Sequence, residues 1–335
     1  MMTPPTDILL MVRGLRVEVP TRGGLVRVVD GVDLDVRAGQ VSGIAGESGS
    51  GKTMSMLAVL GLLPTGSVIE GEVLFQGQET LKNRLGASTL HLGKDIALVM
   101  QDSHSSLHPM LTVGVQLTDH VRYHLHIGSR EARSRAISLL RQVRIPDPDG
   151  AFTSYPHQFS GGMRQRIAIA MALMCEPNVL IADEPTTGLD VTVQAGIIGL
   201  LKDLTKHSHL AMVLISHDLG VISSLAENIT IMYAGRVVES GPTSRVLASP
   251  SHPYTAALLD ALPNPRMPNI PLRPIPGFLG SLSDRPSGCV FHPRCTYVER
   301  RCVSVVPELI EVDSAQRHAC LVDPFGEHKY VSGHN

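Results

Sequence analysis

Along the first 245 residues, short apolar β-prone runs alternate with stretches whose apolar positions recur at helical spacing, the rhythm of an α/β domain. Residues 41–45 form an apolar run that enters a glycine-rich segment. Residues 53–63 then keep helical spacing as far as Pro64, where a proline stops a helix. Compact apolar runs at 73–75, 96–100, 179–182 and 212–215, each bounded by polar or turn residues, predict buried sheet strands. Residues 229–233 and 236–239 flank Ala234 and Gly235 and predict a hairpin. The polar, His- and Arg-rich interval after residue 100 carries helical charge patterning, over 130–143 among others, and predicts an inserted helical subdomain at about 103–175. Past residue 245 the texture changes. Seven prolines between Pro263 and Pro286 suit an extended arm, which leads to a cluster of cysteines, and the polar residues 324–335 read as a frayed end. The expected organisation is one domain over residues 1–245 and an extension over 246–335.

Composition narrows the function classes. With 43% hydrophobic and 18% charged residues in 335, the chain can bury a real core. Lys plus Arg number 29 against 31 Asp plus Glu, a net charge of −2, without the basic excess that nucleic-acid binding calls for. The longest run drawn only from apolar residues, 167–175, has nine members, whereas a spanning helix needs roughly twenty. Residues 1–6 lack a basic region and the apolar stretch after them is short, so the protein is expected to stay in the cytoplasm.

The chemistry begins at the glycine-rich segment. Gly46, Glu47, Ser48, Gly49, Ser50, Gly51, Lys52 and Thr53 satisfy the P-loop pattern, placed after a predicted strand and at the start of a predicted helix. Glycines let successive N–H groups turn toward a phosphate, the helix N-terminus adds its dipole, Lys52 reaches β- and γ-oxygens, and Thr53 offers a hydroxyl to Mg²⁺. The apolar run 179–182 leads straight into Asp183 and Glu184, at the strand end where ligands bind in open parallel sheets. Asp183 is placed to support Mg²⁺ and Glu184 to accept a proton from water attacking the γ-phosphate. Gln101 follows the run 96–100 and can coordinate Mg²⁺ and order water. His217 follows the run 212–215 and can contact the γ-phosphate. Ser160, Gly161 and Gly162 precede a predicted helix over 164–174 and make a second anion-binding terminus.

This constellation resembles the ATP-binding cassette (ABC) family over about residues 8–245, with the motifs in the family's order. Residues 46–53 correspond to its Walker A loop, Gln101 to the Q-loop and Ser160-Gly161-Gly162 to the signature. Asp183 and Glu184 correspond to Walker B with the catalytic glutamate, Asp190 to the D-loop and His217 to the switch histidine. The resemblance implies a RecA-like core with an antiparallel β subdomain and an inserted helical subdomain. It also implies ATP and Mg²⁺ as ligands, and head-to-tail pairing with a second cassette, a paralogue or the same chain. The signature departs from the common form at Phe159 and Met163, and no aromatic precedes Phe75, so Val19 stands about where an adenine-stacking ring is usual. The segments 251–263 and 288–295 are similar to the tails of dipeptide and oligopeptide importer ATPases. That likeness implies two membrane permease subunits, a substrate-binding protein outside the membrane, no nucleic-acid partner, and a peripheral place on the cytoplasmic face of the cell membrane. Residues 102–111 would then meet the permeases. The rival reading is a soluble ABC ATPase acting on nucleic acid or ribosomes.

Cys289, Cys295, Cys302 and Cys320 crowd into the last 50 residues, and in a reducing compartment they point to a metal or cofactor before disulfides. Four thiolates suit a [4Fe–4S] cluster or a zinc ion; paired zinc-knuckle spacings are absent, and the resemblance implies the iron–sulfur cluster. Cys175 reads as a core residue, and His120 and His124, four apart, as surface residues.

Overall fold

The computed structural model describes residues 7–81, 91–101, 106–207, 209–262, 274–278, 280, 284–312 and 315–323. The described residues fall into two compact units, one within 1–10, 36–41 and 74–215 and the other within 11–35, 42–73 and 216–335.

In the first unit the strands Ile96–Val99, Val179–Asp183 and Ala211–Ser216 run parallel, with Val99 opposite Ala182 and Asp183 opposite Ile215. All residues of the latter two strands are buried, which is why they read as unbroken apolar runs rather than alternating ones. The inserted subdomain consists of helices Val113–Leu125, Ser129–Gln142, Pro148–Thr153 and Gly161–Leu173. Ser129–Gln142 buries Ala132, Ala136, Ile137 and Leu140, a single stripe at helical spacing, and leaves Arg130, Arg133 and Arg141 in solvent. Its neighbours start on side-chain caps from Thr112, Asp147 and Ser160. Gly114 has no room for a side chain, since a Cβ would stand 2.4 Å from the Phe152 ring.

The second unit contains most of the long strands Ile8–Thr21 and Gly24–Arg37, which lie side by side, with Val68–Phe75 along the other edge of the first. Their buried residues, Leu10, Val12, Leu15 and Val17 among them, alternate or nearly alternate with partly exposed ones, as a half-covered sheet requires. A second sheet sets Val41–Ala45 parallel to Asn228–Tyr233, which pairs antiparallel with Arg236–Pro242 across the expected turn at Ala234 and Gly235. Arg236–Pro242 in turn receives Arg317–His318, with Glu239 opposite His318, and Ile310–Glu311 follows. Two-residue strands from the extension thus complete this sheet.

Two boundaries differ from the sequence expectation. The helix expected over 53–63 spans Lys52–Leu60, because Gly61 takes the left-handed conformation (φ 72°) and the N–H groups of Gly61 and Leu62 close back onto Ala58 and Leu57. The glycine ends it before Pro64 can. The strand expected over 73–75 runs from Val68 to Phe75. Of the proline arm, residues 263–273 lie outside the described residues, as do 324–335; residues 274–278 carry neither helix nor strand. Among the described residues, no helix is long and apolar enough to cross a membrane.

Candidate functional site

The residues expected to carry chemistry divide between the two units. In the second unit, the loop 46–51 leaves the carboxyl end of the buried strand Val41–Ala45, beside the parallel strand Asn228–Tyr233. Glycine is obligatory twice. At Gly46 (φ 148°) a Cβ would stand 2.1 Å from the Met232 carbonyl oxygen, and at Gly51 (φ 99°) 2.8 Å from that of Val28. Ser50 is buried and its carbonyl accepts the Gly235 N–H at 2.9 Å, while Ser48 and Gly49 are exposed at the crown. Lys52 is 6% exposed; its Nζ donates to the carbonyls of Gly46 at 2.7 Å and Glu47 at 2.9 Å. Thr53 is half-buried in the first turn of Lys52–Leu60. A glycine cradle, a helix start and a buried ammonium form a donor set suited to a polyphosphate. His217 follows the strand Ala211–Ser216 and is exposed, and its neighbour Asp218 caps helix Leu219–Leu225 through the N–H groups of Gly220 and Val221.

In the first unit, Gln101, Asp183 and Glu184 leave the parallel strands at their carboxyl ends. Gln101 is exposed, and Asp183 is 6% exposed, a buried carboxylate of the kind that holds a hard cation. Glu184 is 8% exposed and has a left-handed backbone (φ 48°), unusual for a residue with a side chain. Its N–H donates to the Ile215 carbonyl at 2.9 Å and its Oε2 accepts the Thr187 hydroxyl at 2.6 Å. Thr187 was not anticipated from the sequence; only its place three residues after the glutamate hints at it. Ser160 is exposed and caps helix Gly161–Leu173, accepting the Met163 N–H at 3.4 Å. Gly162 is buried, and a Cβ there would stand 2.3 Å from Val193 Cγ1, in the helix Val191–His207. Asp190 caps that helix through the Val193 N–H at 3.0 Å.

The same unit has a groove of about 750 Å³ lined by Leu92, Leu107, Pro109, Leu111, His120 and Met171, among others. Leu111 in its lining and Met110 next to it in sequence are exposed. Residues 102–105 of the expected permease-facing segment lie outside the described residues. His120 and His124, expected as surface residues, are half-buried walls of this groove, and burial pushes the His120 imidazole below its ordinary pKa. Cys175 is buried, as expected of a core residue.

Among the described residues no disulfide joins the four cysteines of the extension; Cys289, Cys302 and Cys320 are buried and Cys295 is half-buried. The chain doubles back to gather them: the Cys289 N–H donates to the Cys302 carbonyl at 2.9 Å, and Gly288 (φ 67°) leaves no room for a Cβ beside that carbonyl. Burial pushes the Cys320 thiol up to about 12, with the other three thiols adding to the rise, and it raises Cys289 and Cys295 as well. Among the described residues, no group of three or more His, Cys, Asp or Glu is arranged to hold a metal ion, so the expected iron–sulfur cluster and the zinc alternative find no support in this geometry.

Residues 29–187 match the ABC transporter family, and residues 238–302 match the oligopeptide/dipeptide transporter C-terminal region. The chain is 43% identical over 313 residues to the dipeptide transport ATP-binding protein DppD of Escherichia coli, covering 93% of this chain and 96% of that protein. It is 41% identical over 330 residues to DppD of Bacillus subtilis, covering 97% and 98%. Among solved structures it resembles cbiO1 of Clostridium perfringens, part of the ABC transporter complex cbiONQ (TM-score 0.62, 26% identity, 78% of this chain and 98% of that one). It also resembles the dimeric ATP-binding cassette MJ0796 bound to ADP and Pi (TM-score 0.59, 26% identity, 70% and 98%). A glycine-rich loop at a helix start, a buried Asp-Glu pair and a C-terminal extension in this order, with identity along nearly the whole chain, lead to one conclusion: the chain belongs to the ABC transporter ATP-binding family, in the branch that carries the oligopeptide/dipeptide transporter C-terminal region.

Proposed function

We propose that this chain binds ATP on residues 46–53 and hydrolyses it with Glu184 as general base, and that the cycle energises import of di- or oligopeptides through a binding-protein-dependent transporter. The observation that carries the catalytic part is the setting of Glu184: a left-handed backbone at a buried strand end, anchored through its N–H and held at its carboxylate by Thr187. Strain of this kind, of order 1–3 kcal/mol, persists where surrounding contacts over-determine it, and it clusters at functional sites. In this reading Lys52 and the loop N–H groups hold the phosphates, and Thr53, Asp183 and Gln101 support Mg²⁺, which would withdraw charge from the phosphates when bound. Glu184 takes the proton of the attacking water, His217 contacts the γ-phosphate, and Ser160, Gly161, Gly162 and Asp190 face the nucleotide of a second cassette.

Peptide import rests on the E. coli and B. subtilis relatives, which are dipeptide transport ATP-binding proteins, and on the matching C-terminal region. Partners follow from that reading: two permease subunits, a second ATPase subunit and, through the permeases, a substrate-binding protein. The groove with exposed Leu111 in its lining is the proposed permease seat, and the chain works at the cytoplasmic membrane face. Against the alternative of a nucleic-acid or ribosomal ATPase stands the net charge of −2. The four cysteines enter as a ligand set for an iron–sulfur cluster, favoured only by Cys289, Cys295 and Cys302 lying near enough to Cys320 to raise its pKa; iron and acid-labile sulfide near zero in anaerobically purified protein would end that part.

The deciding variant is Glu184→Gln. Turnover should fall at least about 100-fold while ATP binding persists. A variant that hydrolyses at the parental rate removes Glu184 from the role, and co-purification with ribosomes or DNA instead of permeases removes the transport reading.

A further inference from the structure

The phosphate loop is not held by its own element alone. Glu47, its second residue, is gripped at two atoms by the C-terminal extension, within the same compact unit. Its backbone N–H donates to the Tyr254 hydroxyl at 2.9 Å, and its Oε2 accepts Arg294 Nη1 at 2.9 Å. Neither holder is loose. Tyr254 is fully buried, with its ring centroid 4.7 Å from that of Tyr233 and 5.3 Å from that of Phe291. The Arg294 side chain is 6% exposed, and all three of its nitrogens are engaged. Nε donates to the Pro276 carbonyl at 2.7 Å, Nη1 also to the Tyr233 hydroxyl at 3.3 Å, and Nη2 to the Ile275 carbonyl at 3.4 Å. A guanidinium fixed at every nitrogen is a rigid fork that delivers its charge to one place.

That place matters because Glu47 is an anion on a loop that receives anions. An unpaired carboxylate there would repel the phosphates, and the paired guanidinium cancels that repulsion. We propose that Arg294, together with Tyr254, is a positioning residue of the nucleotide loop: the extension pins the Glu47 backbone and neutralises its carboxylate, so ATP affinity depends on a residue 247 positions away. This rests on the reading that residues 46–53 bind ATP.

The test measures ATP affinity, KM, kcat and Tm on the full chain for the parent, Arg294→Ala, Arg294→Lys, Glu47→Gln and the double variant E47Q/R294A. Arg294→Ala weakens ATP binding about tenfold and raises KM with little change in kcat, the loss of one charge-assisted contact. Arg294→Lys keeps the charge without the fork and falls between. Glu47→Gln removes the carboxylate, leaves the guanidinium near the phosphates, and tightens ATP binding about threefold. The double variant recovers most of the tenfold loss, because no carboxylate remains to be neutralised. A purely structural Arg294 would instead lower Tm and the active fraction in every Arg294 variant, with no repair by E47Q. Parental affinity in Arg294→Ala, or a double variant as weak as Arg294→Ala, overturns the proposal. If Arg294→Ala does not fold, Glu47→Gln decides, and no gain in affinity overturns it. Failure of the parent itself to bind ATP overturns the assignment of residues 46–53, and this proposal with it.

Discussion

The loop before helix Lys52–Leu60 and the turn before helix Gly161–Leu173 both bring small residues to a helix N-terminus, yet they are held in opposite ways. The first is over-determined. Gly46 and Gly51 fit against backbone carbonyls, Ser50 is bonded to Gly235, Lys52 is bonded to two carbonyls, and Glu47 is gripped from the extension. The second is anchored beneath, where Gly162 meets Val193, and open above, where exposed Ser160 keeps one long capping bond of 3.4 Å. A loop that must wrap a phosphate by itself has to be finished by its own chain. A turn that, on the proposed reading, meets a ligand carried by another molecule has only to be presented.

The largest effect that would break this contrast is expected at Gly46. Gly46→Ala forces a Cβ to 2.1 Å from a backbone oxygen, and ATP binding by the chain should fall at least about 100-fold. Titration with a fluorescent ATP analogue reads this directly; near-parental affinity would mean the loop is not over-determined. A smaller and differently placed effect is expected at Ser160. Ser160→Ala gives up a cap worth about 1 kcal/mol, so ATP binding by the isolated chain should persist while hydrolysis by the assembled transporter falls about tenfold. If the isolated chain lost its own ATP binding, the two helix starts would be alike after all.

An effect on stability rather than on ATP binding concerns the support beneath the first loop. His252 caps helix Pro253–Asp260, accepting the Tyr254 N–H at 3.0 Å, and is buried near His318 and the Glu239 carboxylate, which accepts its backbone N–H. Burial first, and His318 second, push its imidazole from 6.5 down to about 3. A depressed pKa means the unfolded chain takes up the proton first, so stability from neutral His252 is full above pH 6.5 and is lost as pH falls from there toward 3. Between pH 7 and 5 the parent should lose about 2 kcal/mol more than His252→Asn, which keeps a capping side chain without titrating. Urea midpoints at the two pH values measure the difference, and equal losses would show that His252 is not held neutral.

What could be read from the sequence follows physical range. The strand, loop and helix around residues 46–53 and the buried strand ending in Asp183 were legible because their pattern is local, each within about ten residues. The buried runs 179–182 and 212–215 became strands as expected, since nothing in a fully covered sheet competes with them. The helix end at Gly61 was misplaced because Pro64 is the louder signal, although glycine acts first. Ile310–Glu311 and Arg317–His318 left no trace, two residues being too few to set a period. The half-burial of His120 and the grip of Arg294 on Glu47 depend on segments distant in sequence, and no local pattern encodes them.

The 247-residue separation of Glu47 from Arg294 also has a meaning in time. At synthesis rates of about 5–20 residues per second, Arg294 emerges roughly 12–50 seconds after Glu47. Arg285, which donates to Asp30 at 3.0 Å, is similarly late for its partner. On the proposed reading, a nascent chain carries all of residues 46–53 long before it has Arg294, so its hold on nucleotide tightens only after the extension has been made.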